Sequence, residues 1–313
     1  MNAEVLSFHS RDSLSVVQLA TSFKDSFRYV SGNSAIKKDL LEVQEVSEAG
    51  SVNQLIVINH SDDFVFFMDG DILAGAKQNR VLNTSVLLSP KSKKNLPVSC
   101  VEKGRWRFTS RRFTDMDYSA PTFLRSQKAM AVKQSLKNSK SFDSDQGEVW
   151  ETVSDYHLSH NISSPTSNLS DIYENRKKDF DEFIESFALT TGANGIAMFI
   201  NKRLLNIDIF NREDIFAEYY PKLLRGAAMD AFPLESKKGV TKAEAKYKTL
   251  TFLDQFENLT FEVHPGVGVG HEKRFDTESL TGFELSYDDQ IIHLTALNIK
   301  RELKDGRYNR RKL

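Results

Sequence analysis

The stretch from Phe64 to Phe113 constrains the fold most, because short strand-like runs alternate there with turn signals. The apolar run Phe64–Met68 is followed by Asp69-Gly70. This dipeptide is typical of a two-residue hairpin turn, because glycine adopts positive φ without a Cβ clash. Further strand-like runs follow at 81–88 and 96–101. The pattern predicts β-strands joined by tight turns, with a hairpin at Asp69-Gly70.

Polar side chains of specific kinds lie at the ends of these predicted strands. Amide and guanidinium groups donate hydrogen bonds to sugar and phosphate oxygens, an indole stacks on a flat ring, and a carboxylate can transfer a proton. We therefore predict a pocket with Glu102 as the acid/base and Trp106 as the stacking residue. The side chains predicted to hydrogen-bond or pair with the ligand are Gln78, Asn79, Arg80 and Arg105.

A structural interpretation of the same residues stays open. Along an extended strand, Arg105 and Arg107 fall on one face, and Trp106 and Phe108 on the other. The aromatic residues would then belong to the core, and the arginines would form the solvated face of a half-buried strand. Glu102 would pair with one of the arginines.

Four motifs resemble a prokaryotic domain family named for its association with ADP-ribosylglycohydrolases and rhodanese-phosphatase proteins. These motifs are Gly75–Arg80, Leu96–Trp106, Gln146–Trp150 and Ser164–Thr166. The resemblance runs from about Leu41 to Leu297. By analogy it implies a phosphorylated, nucleotide-derived ligand, similar to ADP-ribose or NAD, in a prokaryotic conflict or stress system. The family is named after the proteins with which it is associated. The resemblance therefore does not indicate which reaction, if any, the domain catalyses, and the cofactor is unknown.

The order of predicted elements indicates an α+β fold. A hydrophobic content of 40% with 22 Phe is enough for a substantial core. We predict one domain over 1–300, β-rich in 1–113, helical in 114–191 and mixed in 192–300, followed by a basic tail, 301–313. In it the N- and C-terminal strands form a sandwich-like core with the helical middle packed beside it. Two domains divided near Thr114 are the alternative.

Three local signals predict helix boundaries. Asn168 can cap a helix whose apolar stripe runs from Leu169 to Phe187. Pro221 predicts a break or kink in the helix that begins after Asn211. The run 241–244 fits a capping box, which opens another helix.

The charge balance gives no global attraction to polyanions, because 42 basic and 43 acidic residues leave a net charge of −1. Locally, eight Lys or Arg residues lie between Lys91 and Arg112, against the single acid Glu102. Nucleic-acid binding through a basic strand at 103–112 is therefore a less favoured alternative. More broadly, the alternative function is a non-catalytic protein- or nucleic-acid-interaction module of a defence system.

Two residues of the last third complete the predicted site. His293 is a second-choice acid/base, because imidazole titrates near neutral pH, although a core histidine is the simpler interpretation. Arg274 is a phosphate partner if the alternating glycines at 266–270 admit a ligand, whereas close approach of another backbone is favoured.

No metal site is predicted. His157 and His160 resemble ligand spacing, but the sequence suggests no third ligand and their polar neighbours indicate a surface. The single cysteine, Cys100, is interpreted as a buried, inert thiol.

The N-terminal residues lack the features of a signal peptide, and no run approaches the ~20 apolar residues of a membrane span. We therefore expect no membrane association and a soluble, cytoplasmic protein.

Overall fold

A computed structural model describes residues 1–22, 27–47, 51, 53–235 and 238–300. The predicted tail 301–313 lies outside the described residues. The fold is α+β, with strands at both ends and helices in the middle, as predicted. The helices are α1 (Gly32–Lys37), α2 (Thr122–Ser139), α3 (Gln146–His160), α4 (Leu169–Asn175), α5 (Lys177–Ile184), α6 (Glu213–Ala231) and α7 (Lys242–Phe256). The strands are β1 (Ala3–Arg11), β2 (Leu14–Thr21), β3 (Tyr29–Ser31), β4 (Leu41–Glu45), β5 (Gln54–Asn59), β6 (Phe64–Phe67), β7 (Asp71–Gly75), β8 (Arg80–Leu82), β9 (Val86–Leu88), β10 (Lys93–Cys100), β11 (Phe113–Ser119), β12 (Gly195–Ile200), β13 (Arg203–Phe210), β14 (Glu262–Pro265), β15 (His271–Asp276), β16 (Leu280–Tyr287) and β17 (Gln290–Asn298).

The largest sheet joins the two ends of the chain. Its eight strands follow the order β1-β2-β12-β13-β17-β16-β15-β14, and every neighbouring pair is antiparallel. One face packs into a large apolar cluster that also contains α6, and the other face packs against α7. Alternate residues of β2 show this division, since Val16 belongs to the first cluster and Val17 to the second. The N- and C-terminal strands thus share one sheet. Whether 1–300 is one domain or two stays a prediction.

The stretch from Phe64 to Phe113 contributes to two smaller sheets, of order β11-β7-β8-β10-β5-β4 and β3-β6-β9. The prediction of a hairpin at Asp69-Gly70 is wrong, because the strands on either side of the turn do not pair with each other. The turn exists, with φ of +86° at Gly70, but β6 pairs with β3 and β9 whereas β7 pairs with β8 and β11. Side chains bind the turn's amides in place of a hairpin ladder. Asp71 accepts from the Met68 amide at 3.0 Å, and Ser85 accepts from the Asp69 amide at 3.0 Å.

The helical boundaries agree with the sequence in part. Thr241 and Glu244 form the predicted capping box, and Asn168 caps α4 through the Ser170 amide. The predicted stripe from Leu169 divides into α4 and α5, with Arg176 at the junction.

The expected break at Pro221 is wrong, because α6 runs through it from Glu213 to Ala231. A proline inside a helix costs ~3 kcal/mol, whereas each fully buried large apolar side chain contributes ~1.5–3 kcal/mol. Ile215, Phe216 and Leu223 are all buried on this helix. Tertiary packing therefore outweighs the local preference.

Gly70 offers a test of the turn. A Cβ there would lie 2.9 Å from Arg125 Cγ and Cδ, in addition to the strain of positive φ. Gly70→Ala should lower the free energy of unfolding by ~2–4 kcal/mol in urea titrations. Gly192→Ala is the matched control, since Gly192 has φ of +84° but its nearest neighbouring atom lies at 4.0 Å. The free energy of unfolding of Gly192→Ala should fall by only ~1–2 kcal/mol. Equal losses in the two variants would contradict the packing argument.

Candidate functional site

The predicted polar residues of the first third come together. Arg80 opens β8 opposite Cys100 of β10, and Glu102 follows β10 in a bridge with Asn168. Residues 103–112 are an exposed loop and not the expected basic strand. We call Gln78, Asn79, Arg80, Glu102 and Arg105 the brace cluster.

Glu102 is the centre of the brace cluster. Its carboxylate is buried and pairs with Arg105 through two bonds, Nε to Oε1 at 2.9 Å and Nη2 to Oε2 at 2.7 Å. The Thr166 hydroxyl donates to Oε1 at 3.1 Å, and the Asn79 amide donates to Oε2 at 3.2 Å. Four hydrogen bonds from the protein therefore hold this carboxylate. As an acid/base, Glu102 would first have to release some of these bonds.

The other members of the brace cluster also bond to protein groups. Arg80 is fully buried, with Nη1 3.1 Å from Gln78 Oε1 and Nη2 3.5 Å from Glu45 Oε1. Asn79 Oδ1 accepts from Arg105 Nη2 at 3.3 Å, and Asn79 Nδ2 donates to Ser170 Oγ at 3.2 Å. The amide and guanidinium groups converge as expected, but they form hydrogen bonds with one another and with neighbouring protein groups.

The loop after Glu102 is fixed at both ends. The Gly104 amide donates to the Thr166 carbonyl at 2.8 Å. The Ala76 carbonyl accepts from Arg105 Nη1 at 2.7 Å and from the Thr109 amide at 3.0 Å. Ala76 itself is buried with φ of +42°. The brace cluster thus holds the loop against the turn that precedes β8.

The tip of the loop presents two aromatic rings to solvent. Trp106 is 49% exposed and Phe108 is 50% exposed, so the interpretation of both as core residues is wrong. Lys77 Nζ lies 5.1 Å from the Trp106 ring centre and 5.2 Å from that of Phe108. On the buried side, Arg80 Cζ lies 5.8 Å from the Trp106 ring. We call Lys77, Trp106, Arg107 and Phe108 the Trp106 platform.

His293 and Arg274 lie in the eight-stranded sheet, on β17 and β15, and both are buried. His293 contacts Asp208 Oδ1 through Nε2 at 3.3 Å and Ser85 Oγ through Nδ1 at 3.0 Å. Arg274 pairs with Glu272 at 2.5 Å. The predicted roles of His293 in proton transfer and of Arg274 in phosphate binding stay predictions, and the structure gives both residues partners within the protein.

The glycines before Arg274 serve backbone packing at one position. A Cβ on Gly268 would lie 2.0 Å from the Leu87 carbonyl oxygen, which accepts from the Val269 amide at 2.8 Å. This is the close backbone approach that the sequence favoured over ligand use.

Two further expectations concern histidine and cysteine. His157 and His160 are buried, so their assignment to the surface is wrong, and His160 Nε2 lies 2.9 Å from the Met229 carbonyl oxygen.

Burial raises the pKa of the Cys100 thiol to about 11, although Arg80 opposes the shift. The thiol is therefore protonated at neutral pH, in agreement with an inert cysteine.

Comparison with known families decides the assignment of the chain. The model of the ARPP-1 domain, the ARG and Rhodanese-Phosphatase-superfamily-associated Protein domain, matches residues 2–297. The chain belongs to the ARPP-1 family. This confirms the resemblance found in the sequence, and the family's association with ADP-ribosylglycohydrolase and rhodanese-phosphatase proteins is consistent with a ligand-related role. No curated protein and no solved structure matches the chain.

None of the described helices of this ARPP-1 domain has both the length and the apolar character that a membrane crossing needs.

The interior of the ARPP-1 domain contains a charged network that the sequence did not reveal. Arg125 of α2 pairs with Asp69 through Nε and Nη2, both at 2.9 Å, and with Asp208 through Nη2 at 2.6 Å. All three side chains are buried. A second charged group includes Asp71, two residues after Asp69: Lys222 Nζ binds Asp71 at 3.1 Å and Asp115 at 2.7 Å. An arginine in a helical run carries no local signal of such burial.

The first group has the spacing of a metal site, because donor atoms of Asp69, Asp208 and His293 lie within 4.8 Å of one another. Arg125 already pairs with both carboxylates. Burial alone would raise the pKa of Asp208, but Arg125 and His293 outweigh burial and hold that pKa well below its usual value. A metal ion would have to displace the guanidinium, so these residues do not fit a resident metal.

Removing the central guanidinium should be costly. Arg125→Met leaves two buried carboxylates without their partner and should lower the free energy of unfolding by ~3–5 kcal/mol in urea titrations. Arg225→Met is the control, because the pair of Arg225 with Asp181 at 2.7 Å is 20% and 39% exposed. It should cost at most ~1 kcal/mol. A loss at Arg125 no larger than that at Arg225 would show that the network does not stabilise the fold.

Lys128 makes the stability depend on pH. It is fully buried and donates to the Leu82 carbonyl. Burial outweighs the opposing effect of Asp69 and, together with a smaller effect of Arg125, lowers the pKa of Lys128 to about 7. The unfolded lysine has a pKa of ~10.4, so between pH 7 and 10 the unfolded state holds a proton that the folded state lacks. The contribution of Lys128 to stability therefore rises with pH across this window.

Lys128→Met tests this dependence. The difference in unfolding free energy between wild type and variant, measured in urea at pH 7, 8 and 9, should shift in favour of the wild type as pH rises. Parallel profiles would show that Lys128 has an unshifted pKa.

Proposed function

We propose that this ARPP-1 domain binds a phosphorylated, nucleotide-derived small molecule, of the ADP-ribose or NAD kind, at the Trp106 platform. The observation that carries the proposal is a half-exposed indole on a loop fixed at both ends, with a lysine against its ring. An aromatic side chain held in solvent offers a flat surface for a base, and stacking contributes ~1–3 kcal/mol per base. The exposed Arg107 would pair with phosphate groups. Lys77 is only 8% exposed, and its ammonium against the two rings would add positive charge to the platform.

The brace cluster has a positioning role in this proposal. The sequence predicted direct ligand contacts for four of its members, but here they fix the position of the loop. These four are Gln78, Asn79, Arg80 and Arg105. Glu102 supplies the carboxylate to which Arg105 binds. An acid/base role for Glu102 or His293 is a separate prediction, and binding does not require it.

The ligand class rests on the family association. A family associated with ADP-ribosylglycohydrolase proteins is expected to meet ADP-ribose and its relatives, which is an argument by analogy. By the same analogy we propose that the domain acts in a prokaryotic conflict or stress system. A cytoplasmic location is part of this proposal. Ring stacking and phosphate pairing at the platform suit this class of molecule.

A second candidate function uses the same loop. Arg107 and Arg111 are exposed beside the two aromatic rings, which favours single-stranded nucleic acid as the alternative partner. A labelled oligonucleotide therefore belongs in the ligand panel. Salt-sensitive oligonucleotide binding that is lost in Arg107→Gln, with no binding of small nucleotides, would favour this second function.

Trp106→Ala should weaken the binding of ADP-ribose or NAD by ~5- to 150-fold, as the loss of one stacked ring implies. Isothermal titration calorimetry measures the affinity, and thermal shifts provide a screen, because a ligand of Kd ~10 μM at ~1 mM stabilises by ~2.7 kcal/mol. Trp106→Phe should retain part of the affinity. Leu158→Ala is the control, since Leu158 is an exposed apolar residue elsewhere, on α3, with 73% exposure. Unchanged affinity in Trp106→Ala would remove the platform as the site.

Glu102→Gln should release Arg105 and mobilise the loop while the platform residues stay unchanged. We expect faster tryptic cleavage at the loop's own Lys and Arg residues, together with weaker ligand binding. Glu185→Gln is the control, because Glu185 is an exposed glutamate at the end of α5, outside the brace cluster. Slow cleavage with normal affinity in Glu102→Gln would contradict the positioning role. If turnover of a ligand is found, near-normal turnover in this variant would exclude Glu102 as the acid/base.

A further inference from the structure

A cleft of about 900 Å³ lies beside α7, away from the residues discussed so far. Its walls come from the β12–β13 turn, one face of α7, the β15–β16 turn and the end of β17. Small-molecule sites are typically clefts of ~300–1,000 Å³, so this volume suits a ligand of nucleotide size. The cleft shares no residue with the Trp106 platform.

The charge of the cleft has one sign. Among the described residues, five cationic side chains line it, and no Asp or Glu does. The five are Lys202, Arg203, Lys238, Lys248 and Lys300. The chain as a whole carries 42 basic and 43 acidic residues, so this local bias is not a consequence of composition. Clustered charges of one sign in a concave surface attract counter-ions and charged ligands. The complementary occupant of a cationic cleft is an anion.

Part of the cleft wall is held in place. Lys248 Nζ donates to the Lys202 carbonyl at 2.6 Å, which connects α7 to the β12–β13 turn. An ammonium has three donors, and this bond uses one of them. Asn298, at the end of β17, donates to the Leu204 carbonyl at 2.7 Å. The cleft is thus formed by connected elements and does not depend on one loop.

An aromatic side chain completes the lining. Tyr247 is 71% exposed on α7, next in sequence to Lys248. Tyrosine offers a ring for stacking and a hydroxyl for hydrogen bonding. Cations beside an exposed ring suit a molecule that has both phosphate groups and a flat base.

The geometry points to a second ligand site in this cleft, specific for a nucleoside polyphosphate, with the phosphates on the lysines and the base on Tyr247. This site does not depend on the Trp106 proposal, and the two fail separately. The probes are ADP, adenosine and inorganic pyrophosphate, measured by isothermal titration calorimetry with the full chain.

The double variant Lys202→Gln/Lys238→Gln, which leaves the Lys248 bond intact, should weaken the binding of ADP and pyrophosphate by at least ~10-fold, because two charge-assisted contacts are lost. Both lysines are exposed, so the variant should keep the wild-type melting temperature. Lys246→Gln is the matched control, since Lys246 is an exposed lysine of α7 outside the lining, and its affinity should match the wild type. Trp106→Ala should leave the cleft component of ADP binding intact.

Tyr247→Ala separates the base from the phosphates. It should weaken ADP several-fold and leave pyrophosphate unchanged, while adenosine alone should bind far more weakly than ADP. No binding of ADP or pyrophosphate to the wild type at ~1 mM, or an equal loss in Lys246→Gln, would overturn the site. Unchanged ADP binding in Tyr247→Ala would overturn the assignment of the base.

Discussion

The pairing of Arg125 with Asp69 and Asp208 is the interaction on which the packing of the layers depends. Asp69 lies in the turn between β6 and β7, Asp208 in β13 of the eight-stranded sheet, and Arg125 on α2. One guanidinium therefore fixes a helix, a turn and a strand relative to one another. Burying such charges costs several kcal/mol per ion unless each is paired and hydrogen-bonded. Any other arrangement of these elements would leave at least one charge unpaired, so the network favours a single packing.

Much of the fold was predictable, because its strands and helix starts follow from local sequence patterns. Alternating apolar runs identified strands in the first third, and the capping box at Thr241 identified the start of α7. The failures were long-range. The Asp69-Gly70 turn resembles a hairpin, yet Asp71 and Ser85 bind its amides and the two strands enter different sheets. Pro221 resembles a helix break, but the buried face of α6 outweighs its local cost.

The sequence predicted where the polar residues of the candidate site converge, but not which groups their side chains contact. Residue types located the convergence of Gln78, Arg80, Glu102 and Trp106, because polar groups at neighbouring strand ends meet. A sequence does not state whether such groups face a ligand or one another, since that depends on partners such as Thr166 and Ser170 from a distant segment. The cleft beside α7 was not predictable at all. Its lysines come from separate elements, and none of them differs locally from an ordinary surface lysine.

The fixed ends of the 103–112 loop have a consequence for how ARPP-1 domains diversify. Thr166 holds the loop at Gly104, and Ala76 holds it at Thr109, so Trp106, Arg107 and Phe108 form a tip that contributes little to the core. Under the proposed function, exchanging the rings at 106 and 108 would alter which molecules are recognised while folding proceeds as before. Selection can therefore act on recognition and on folding as nearly independent traits, with new preferences arising by substitution of a few tip residues.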